Sequence, residues 1–540
     1  MTLPGRAQLG LLLLCLAWLL PGQIGHVPWK GPDGDTFAAL LWARQSQDWL
    51  VPTVAGSIDL SSGPLYTWLA GIFSFVFSFV LPAHDAARLA TGFSVGVAAW
   101  LLGLTAHRLY GEEAGWAATL MLLGSLGLLL PGHSMDSHVV QLAGMSAVLF
   151  GLADMSTSPR RGGSVAGLGL AAMGLSTGWL EPIALLPLIL ILPVTIAEYR
   201  TPEARRGGFY LLTFSLLPLG LWLGVLYQHQ GHLLLDWWKE TSQRLVFMST
   251  KQDIYRPGYI AKNLLWFAWP AWPMAAWDIY RARKNWRTRL TLMPVLVLLL
   301  PFIALSLTVN PDEISMMPLL PPIVLLGGAG LLSLRRGAAN ALLWFAVMVF
   351  SFFALVFWVY FSAWQFGSPA VLAKKLAKLG VASPTEMRYG AMTFGAVITL
   401  AWFALTPKIK RSPIRPILIW VEGMSFIWLL LMVLLLQVFD RRLGYEVMAT
   451  QVKERIGTSQ CVLTHGVPPT QRALLNYHTG IDFTPLKPSC EWLMIYNKRR
   501  KETPPGAPWV KRWDGARPGD RNERYWLYQK SGGTSGLKLR

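Results

Sequence analysis

The chain has 540 residues, of which 53% are hydrophobic and only 14% charged. Soluble proteins carry about 25% charged residues, so most of this chain must lie in lipid. The formal net charge of +19 sits in short basic stretches between apolar runs, the mark of cytoplasmic loops, which excludes nucleic acid as a partner.

Residues 9–20 form an apolar run between Arg6 and Pro21-Gly22. A secretory signal has this outline, but no small-x-small cleavage site follows and about a dozen further apolar runs do, so the run reads as a first span with its N-terminus inside. The polar stretch 28–69 comes next, carrying Asp33, Asp35, Asp48 and Asp59 against Lys30 and Arg44. Asp33 and Asp35 stand just ahead of a helical run, 36–47. A carboxylate there serves as a general base, holds a metal, or simply caps the helix.

The apolar run 64–81 fits a re-entrant or interfacial helix better than a span. If it crossed, the basic clusters at Arg160-Arg161, Arg200 to Arg206, 281–289, Arg335-Arg336 and 408–415 would all lie outside, against the positive-inside rule. With it left out, the turns at 131–138, 178–181 and 309–314, which carry acids and no Lys or Arg, fall outside. The expected fold is therefore a polytopic α-helical membrane protein of about thirteen spans, N-terminus cytoplasmic and C-terminus periplasmic, in a bacterial inner membrane.

Two outer loops are long. Residues 229–262 mix paired tryptophans with Lys239, Arg244, Lys251, Arg256 and Lys262, as a lid over an anionic, partly apolar ligand would, or as an interfacial aromatic belt would. Residues 363–388 contain the basic amphipathic run AVLAKKLAKLG, suited to a leaflet surface. The transmembrane part thus covers 1–440, with a catalytic outer loop over 22–85. Residues 441–540 read as a small soluble α/β domain, with helices at 446–456 and 469–478 and strands at 460–464, 491–496, 509–513 and 525–529. In an oxidising compartment Cys461 and Cys490 are suited to a disulfide, whose loop of about thirty residues would contribute roughly 3–4 kcal/mol. Cys15 reads as a packing residue of the first span.

A second acidic turn, PGHSMDSH at 131–138, sets Asp136 between His133 and His138. Ionisable groups at the mouth of a bundle are costly and usually functional, although Asp136 also suits an N-cap. Both acidic turns are expected at the outer ends of early helices, where they can face one cleft. No internal repeat is visible and the charges sit in loops, which weighs against a transporter.

The order of these features resembles the GT-C glycosyltransferases, specifically the bacterial aminoarabinose (lipid A) transferases and the related protein mannosyltransferases. The residues that carry the resemblance are Asp33-Gly34-Asp35-Thr36-Phe37-Ala38, Asp48-Trp49-Leu50-Val51-Pro52, Gly63-Pro64-Leu65-Tyr66-Thr67-Trp68 and Ala86-Ala87-Arg88-Leu89. Further along come Gly132-His133-Ser134-Met135-Asp136, Glu181-Pro182 and the run from Asp312 to Pro321. Each motif is loose; their order over roughly 1–340 is what is specific.

The resemblance implies a polyprenyl-phosphate sugar donor, an envelope lipid, glycan or protein as acceptor, and a single inverting displacement. It makes Asp33, Asp35 and Asp136 the catalytic carboxylates, with Asp33 matched by its distance to Phe37 and Asp35 matched if one residue is inserted. The family's two basic positions fall here on Ser62 and Asp312, so Arg88, Lys239, Arg244 and Arg256 become the candidates for the donor phosphate. Phe37, His133, His138 and Glu313 are expected against substrate. A divalent metal held by the histidines and aspartates is a further option. A transporter, or a non-catalytic binder of a lipid-linked sugar, is the competing class.

Overall fold

The computed structural model describes residues 5–249, 255–381, 384, 386–457, 461–486, 489–498, 501–502 and 504–531. Six described helices are long and apolar enough to cross a bilayer: Ala83–Tyr110, Pro202–Gln243, Ile314–Leu332, Arg336–Phe366, Tyr389–Lys408 and Arg415–Leu443. A seventh crossing results if Glu112–Leu123 and Leu126–His133, bent by 56° at their junction, act as one. The remaining apolar helices have 10–17 residues, short of the roughly 20 that a 30 Å hydrocarbon core requires. Two of these apolar stretches carry proline in a helix interior, Pro193 and Pro301, where it removes a donor and crowds the preceding turn.

Three helices, His138–Asp154, Pro159–Thr177 and Pro202–Gln243, pack in sequence through glycine. A Cβ on Gly151 would lie 2.4 Å from the Gly162 carbonyl, and one on Gly163 would lie 2.1 Å from that of Gly207. Without side chains between them the backbones approach closely, which is how helices associate where no water drives burial.

Above one end of the bundle lies the stretch 22–82. Helix Pro32–Ser46 starts with Pro32 in its first turn and Gly31 as its N-cap, so neither aspartate is the cap residue. Strands β1 (Thr53–Val54) and β2 (Ser57–Ile58) form a hairpin. Its two turn residues, Ala55 and Gly56, both have positive φ, as a type I′ turn demands. Helix Leu65–Phe77 follows. Its 13 residues reach about 20 Å, too short to cross. The expected lid is helical over its first part, since helix Pro202–Gln243 runs on past a break at Gln230. Residues 244–246 then pair with 307–309. Lys251 lies outside the described residues.

Beyond helix Arg415–Leu443 the chain forms a five-stranded sheet. Its strands are β3 (Cys461–His465), β4 (Asp482–Thr484), β5 (Trp492–Asn497), β6 (Trp509–Gly515) and β7 (Arg524–Lys530), in the order β4-β3-β5-β7-β6. β3 is parallel to β4 and β5, while β7 is antiparallel to β5 and β6. Helices Glu446–Ile456 and Pro469–Thr479 accompany the sheet, and Cys461 is disulfide-bonded to Cys490. The second helix seats this unit on the 22–82 stretch. Tyr477 packs edge-on against Phe37 at 5.0 Å and its hydroxyl meets His84 Nδ1 at 2.9 Å. Lys30 pairs with Glu523, and Arg517 donates to the Arg442 carbonyl.

Candidate active site

The two acidic turns meet. The Met135 N–H, immediately before Asp136, donates to Asp33 Oδ1 at 2.9 Å, and the Trp29 N–H donates to Asp33 Oδ2 at 2.9 Å. Arg88 closes the other side, with Nε and Nη2 each 3.3 Å from an Asp33 oxygen. Burial alone would raise the Asp33 carboxyl, but the Arg88 guanidinium beside it and the hydrogen bond from Met135 hold it below its ordinary value. Asp33 is thus a locked anion whose lone pairs are already taken.

Arg88 is locked as well. Its Nη1 donates to Asp85 at 2.9 Å and to the carbonyls of Gln23 and His26 at 3.3 and 3.4 Å, and the residue is wholly buried. The expectation that it binds the donor phosphate is revised, because no face of the guanidinium is open. Asp85, also held by the Gly25 N–H, is a partner that sequence reasoning missed. Its place three residues before Arg88 on one helix was the available signal.

Asp35 does not join this cluster. Two residues on in a helix is about 200° around, so the Asp33 and Asp35 side chains leave opposite faces. Asp35 accepts from the Thr470 hydroxyl at 2.6 Å. Partial burial raises its carboxyl, opposed by that hydrogen bond and reinforced by Asp59. Phe37 is fully buried between His84 and Tyr477, so it joins two parts of the fold and does not contact substrate. His133 is also committed: Nδ1 lies 2.6 Å from the Leu129 carbonyl, Nε2 lies 2.8 Å from that of Trp18, and the ring sits between Trp18 and Trp428. Neither nitrogen is left for a metal or a sugar.

Asp136 and His138 are arranged differently. Asp136 Oδ1 accepts from the His138 N–H at 2.8 Å and from its Nδ1 at 2.7 Å. The carboxylate is buried, while the imidazole keeps 19% of its side-chain surface. A carboxylate on Nδ1 fixes the tautomer and leaves Nε2 as the proton acceptor. Asp312 and Arg244 lie close enough to act electrostatically on this ring. Arg244 donates to the Thr177 carbonyl at 3.4 Å and is held by the 244–246 clasp. Glu313 and Arg256 are exposed and lie within electrostatic reach of Tyr259. Lys239 lines an open cavity of about 590 Å³ together with Asp236 and Glu240, an acidic setting that does not favour phosphate.

The helix break that follows Thr177 falls at the turn read at 178–181. Among the described residues, Thr177 Oγ1, the Trp179 indole Nε1 and Glu181 Oε2 are buried there without hydrogen-bond partners. No metal site is assembled: Asp33 is held by Arg88, Asp136 by His138, and among the described residues no three His, Cys, Asp or Glu groups converge. The side chains do not fit a divalent cation, and no step is routed through one.

No protein-family model matches the chain. Undecaprenyl phosphate-alpha-4-amino-4-deoxy-L-arabinose arabinosyl transferase 1 of Pseudomonas fluorescens (strain Pf0-1) is 28% identical over 335 residues, covering 59% of this chain and 56% of that protein. The corresponding transferase of Shewanella sediminis (strain HAW-EB3) is 24% identical over 362 residues, covering 64% and 63%. The match therefore spans less than two thirds of either relative. The crystal structure of ArnT from Cupriavidus metallidurans bound to undecaprenyl phosphate superposes with a TM-score of 0.72 over 99% of both chains, at 15% identity. At that identity the likeness is one of fold, and it extends over the whole length.

Proposed function

We propose that this chain, which has the GT-C glycosyltransferase fold, transfers a sugar from a polyprenyl-phosphate donor to an envelope acceptor outside the cytoplasm. The observation that carries the reading is the hydrogen bond from Met135 to Asp33. It joins the two acidic turns and leaves the Asp136–His138 pair as the open base. Names of the sequence relatives support an undecaprenyl-phosphate donor bearing an amino sugar. Lipid A, another envelope glycan and a protein are the acceptors considered.

In this reading the acceptor O–H gives its proton to His138 Nε2 while its oxygen bonds to the anomeric carbon. The bond from that carbon to the donor phosphate oxygen breaks, and polyprenyl phosphate leaves with the electron pair, inverting the centre. Asp136 orients the imidazole and stabilises its protonated form. A positioned base of this kind contributes about 10²–10⁴ in rate. Arg244 and Arg256 are assigned to the leaving phosphate, since Ser62 and Asp312 occupy the family's basic positions. The Asp33–Arg88–Asp85 cluster holds the turn that carries the base. Counting as spans the seven crossings above, the shorter apolar helices other than Leu65–Phe77, helix Pro159–Thr177, and Tyr259–Phe267 with Ala271–Arg281 as one gives thirteen crossings, with the N-terminus in the cytoplasm, the site and C-terminal unit outside, and the chain in the inner membrane.

The test is mass spectrometry of envelope lipids, glycans and proteins from cells lacking the gene, complemented with wild type, His138→Asn or Asp136→Asn at matched expression. A sugar-sized mass restored by wild type alone is expected. Full restoration by His138→Asn would remove the histidine from the mechanism, and no mass difference at all would favour a transporter or a binder.

A further inference from the structure

A cavity of about 440 Å³ lies between helix Pro32–Ser46, the β1–β2 hairpin and the C-terminal unit. Trp42, Ser57, Arg472, Asn476 and Tyr477 are on its walls. Arg472 is only 7% exposed, yet among the described residues it has no carboxylate partner. Its Nη2 donates to the Ala55 carbonyl at 3.3 Å and its Nε has no hydrogen-bond partner. The one carboxylate on the wall, Asp482, is already engaged. A buried guanidinium without a counter-charge is costly, and the partner that best relieves it is a planar or tetrahedral oxyanion gripped by two N–H groups. The aromatic walls add a flat apolar surface of the kind that sugar rings and acyl groups pack against. Burial pulls the Arg472 guanidinium below its ordinary value, the direction expected of a cation that lacks its anion.

We propose that this cavity is an acceptor site in which Arg472 binds a phosphate or carboxylate group of the molecule to be glycosylated, an inference that rests on the transferase reading above. The geometry suits an extended acceptor. Trp42 and Asp33 are nine residues apart on one helix, so the anion would be held about 14 Å along that helix from the acidic turns. The hairpin that supplies Ala55 leads directly into Ser62 and Gly63, and the Gly63 N–H is bound to the Ser176 carbonyl beside the Thr177 break. Anchoring the acceptor at a distance spends remote binding energy on aligning its nucleophile. It also gives the C-terminal unit, which supplies Arg472, Asn476 and Tyr477, a direct part in acceptor choice.

The test is direct binding by the full chain in nanodiscs of neutral phosphatidylcholine, titrated calorimetrically with pyrophosphate in one arm and citrate in the other. Wild type should bind at least one of the two, and Arg472→Gln should weaken that binding about tenfold or more, the usual worth of a charge-assisted contact. Ser57→Trp puts an indole into the cavity while leaving the Arg472 side chain itself in place, and should do the same, so the proposal stays testable if Arg472→Gln folds poorly. The arm that responds names the anion as phosphate or carboxylate. Equal binding by wild type and both variants, or none by wild type in either arm, overturns the site. Because no donor is present, a failure of sugar transfer in cells would sink the transferase reading without being mistaken for a failure of anion binding.

Discussion

Arg88 and Arg472 are both buried guanidinium groups within reach of the same outer helix, and they differ in what surrounds them. Arg88 is wholly enclosed and meets two carboxylates and two carbonyls. Among the described residues Arg472 meets one carbonyl, and it lines a cavity. A buried cation with its charge matched in place belongs to the framework, because any ligand would first have to break those pairs. One left unmatched is a liability to the folded chain unless something outside the chain completes it. The same contrast separates the acids: Asp33 has no lone pair to spare, whereas Asp136 is turned onto a histidine whose far nitrogen has no hydrogen-bond partner among the described residues.

The strongest way to break this comparison is to remove the two cations separately. Arg88→Met leaves Asp33 and Asp85 buried side by side without their cation, and should cost about 3–5 kcal/mol of stability. In detergent this would appear as a large fall in the unfolding midpoint, or as failure to accumulate. Arg472→Met removes an unmatched charge and should leave the midpoint unchanged or raise it. Equal losses from both would mean that Arg472 is as structural as Arg88. On the acidic side, His138→Asn should fold normally while lowering the transfer rate by about 10²–10⁴. The residual activity should lose the rising limb of its pH profile, a change that a merely structural histidine would not produce.

Much of this arrangement was legible in local pattern. The helix read at 446–456 is found at Glu446–Ile456, and the strand read at 491–496 is found at Trp492–Asn497, because alternation and helical spacing are local signals. β4 escaped notice, since three residues with a parallel partner carry almost no periodicity. The meeting of the acidic turns was anticipated from their shared end of the bundle. What could not be read was which side chains face inward. Arg88 looked like a free cation at a helix end, and only the fold of 22–33 around it shows its donors consumed. Arg472 drew no attention at all, because its significance lies in a missing partner, and an absence of that kind exists only once the C-terminal unit is seated on the hairpin.

The finest test concerns the two aspartates that sequence alone left as rivals. Asp35 is held by Thr470 on the C-terminal unit and has its carboxyl raised by burial, with Asp59 adding to the shift. A carboxyl raised in the folded state favours its protonated form there. Its contribution to stability is therefore best at low pH and worsens as pH climbs from the ordinary carboxylate value of about 3.9 through the raised folded value. Asp35→Asn keeps an oxygen to accept from Thr470 and discards the charge. It should leave transfer intact and, above that window, match or exceed the wild-type unfolding midpoint by no more than a few degrees, consistent with about 0.5 kcal/mol for a partly exposed site. Unfolding scans between pH 4 and pH 8 would show the gap opening as pH rises. A loss of transfer in Asp35→Asn at unchanged stability would instead return the base to Asp35, and with it the alignment that inserts one residue before it.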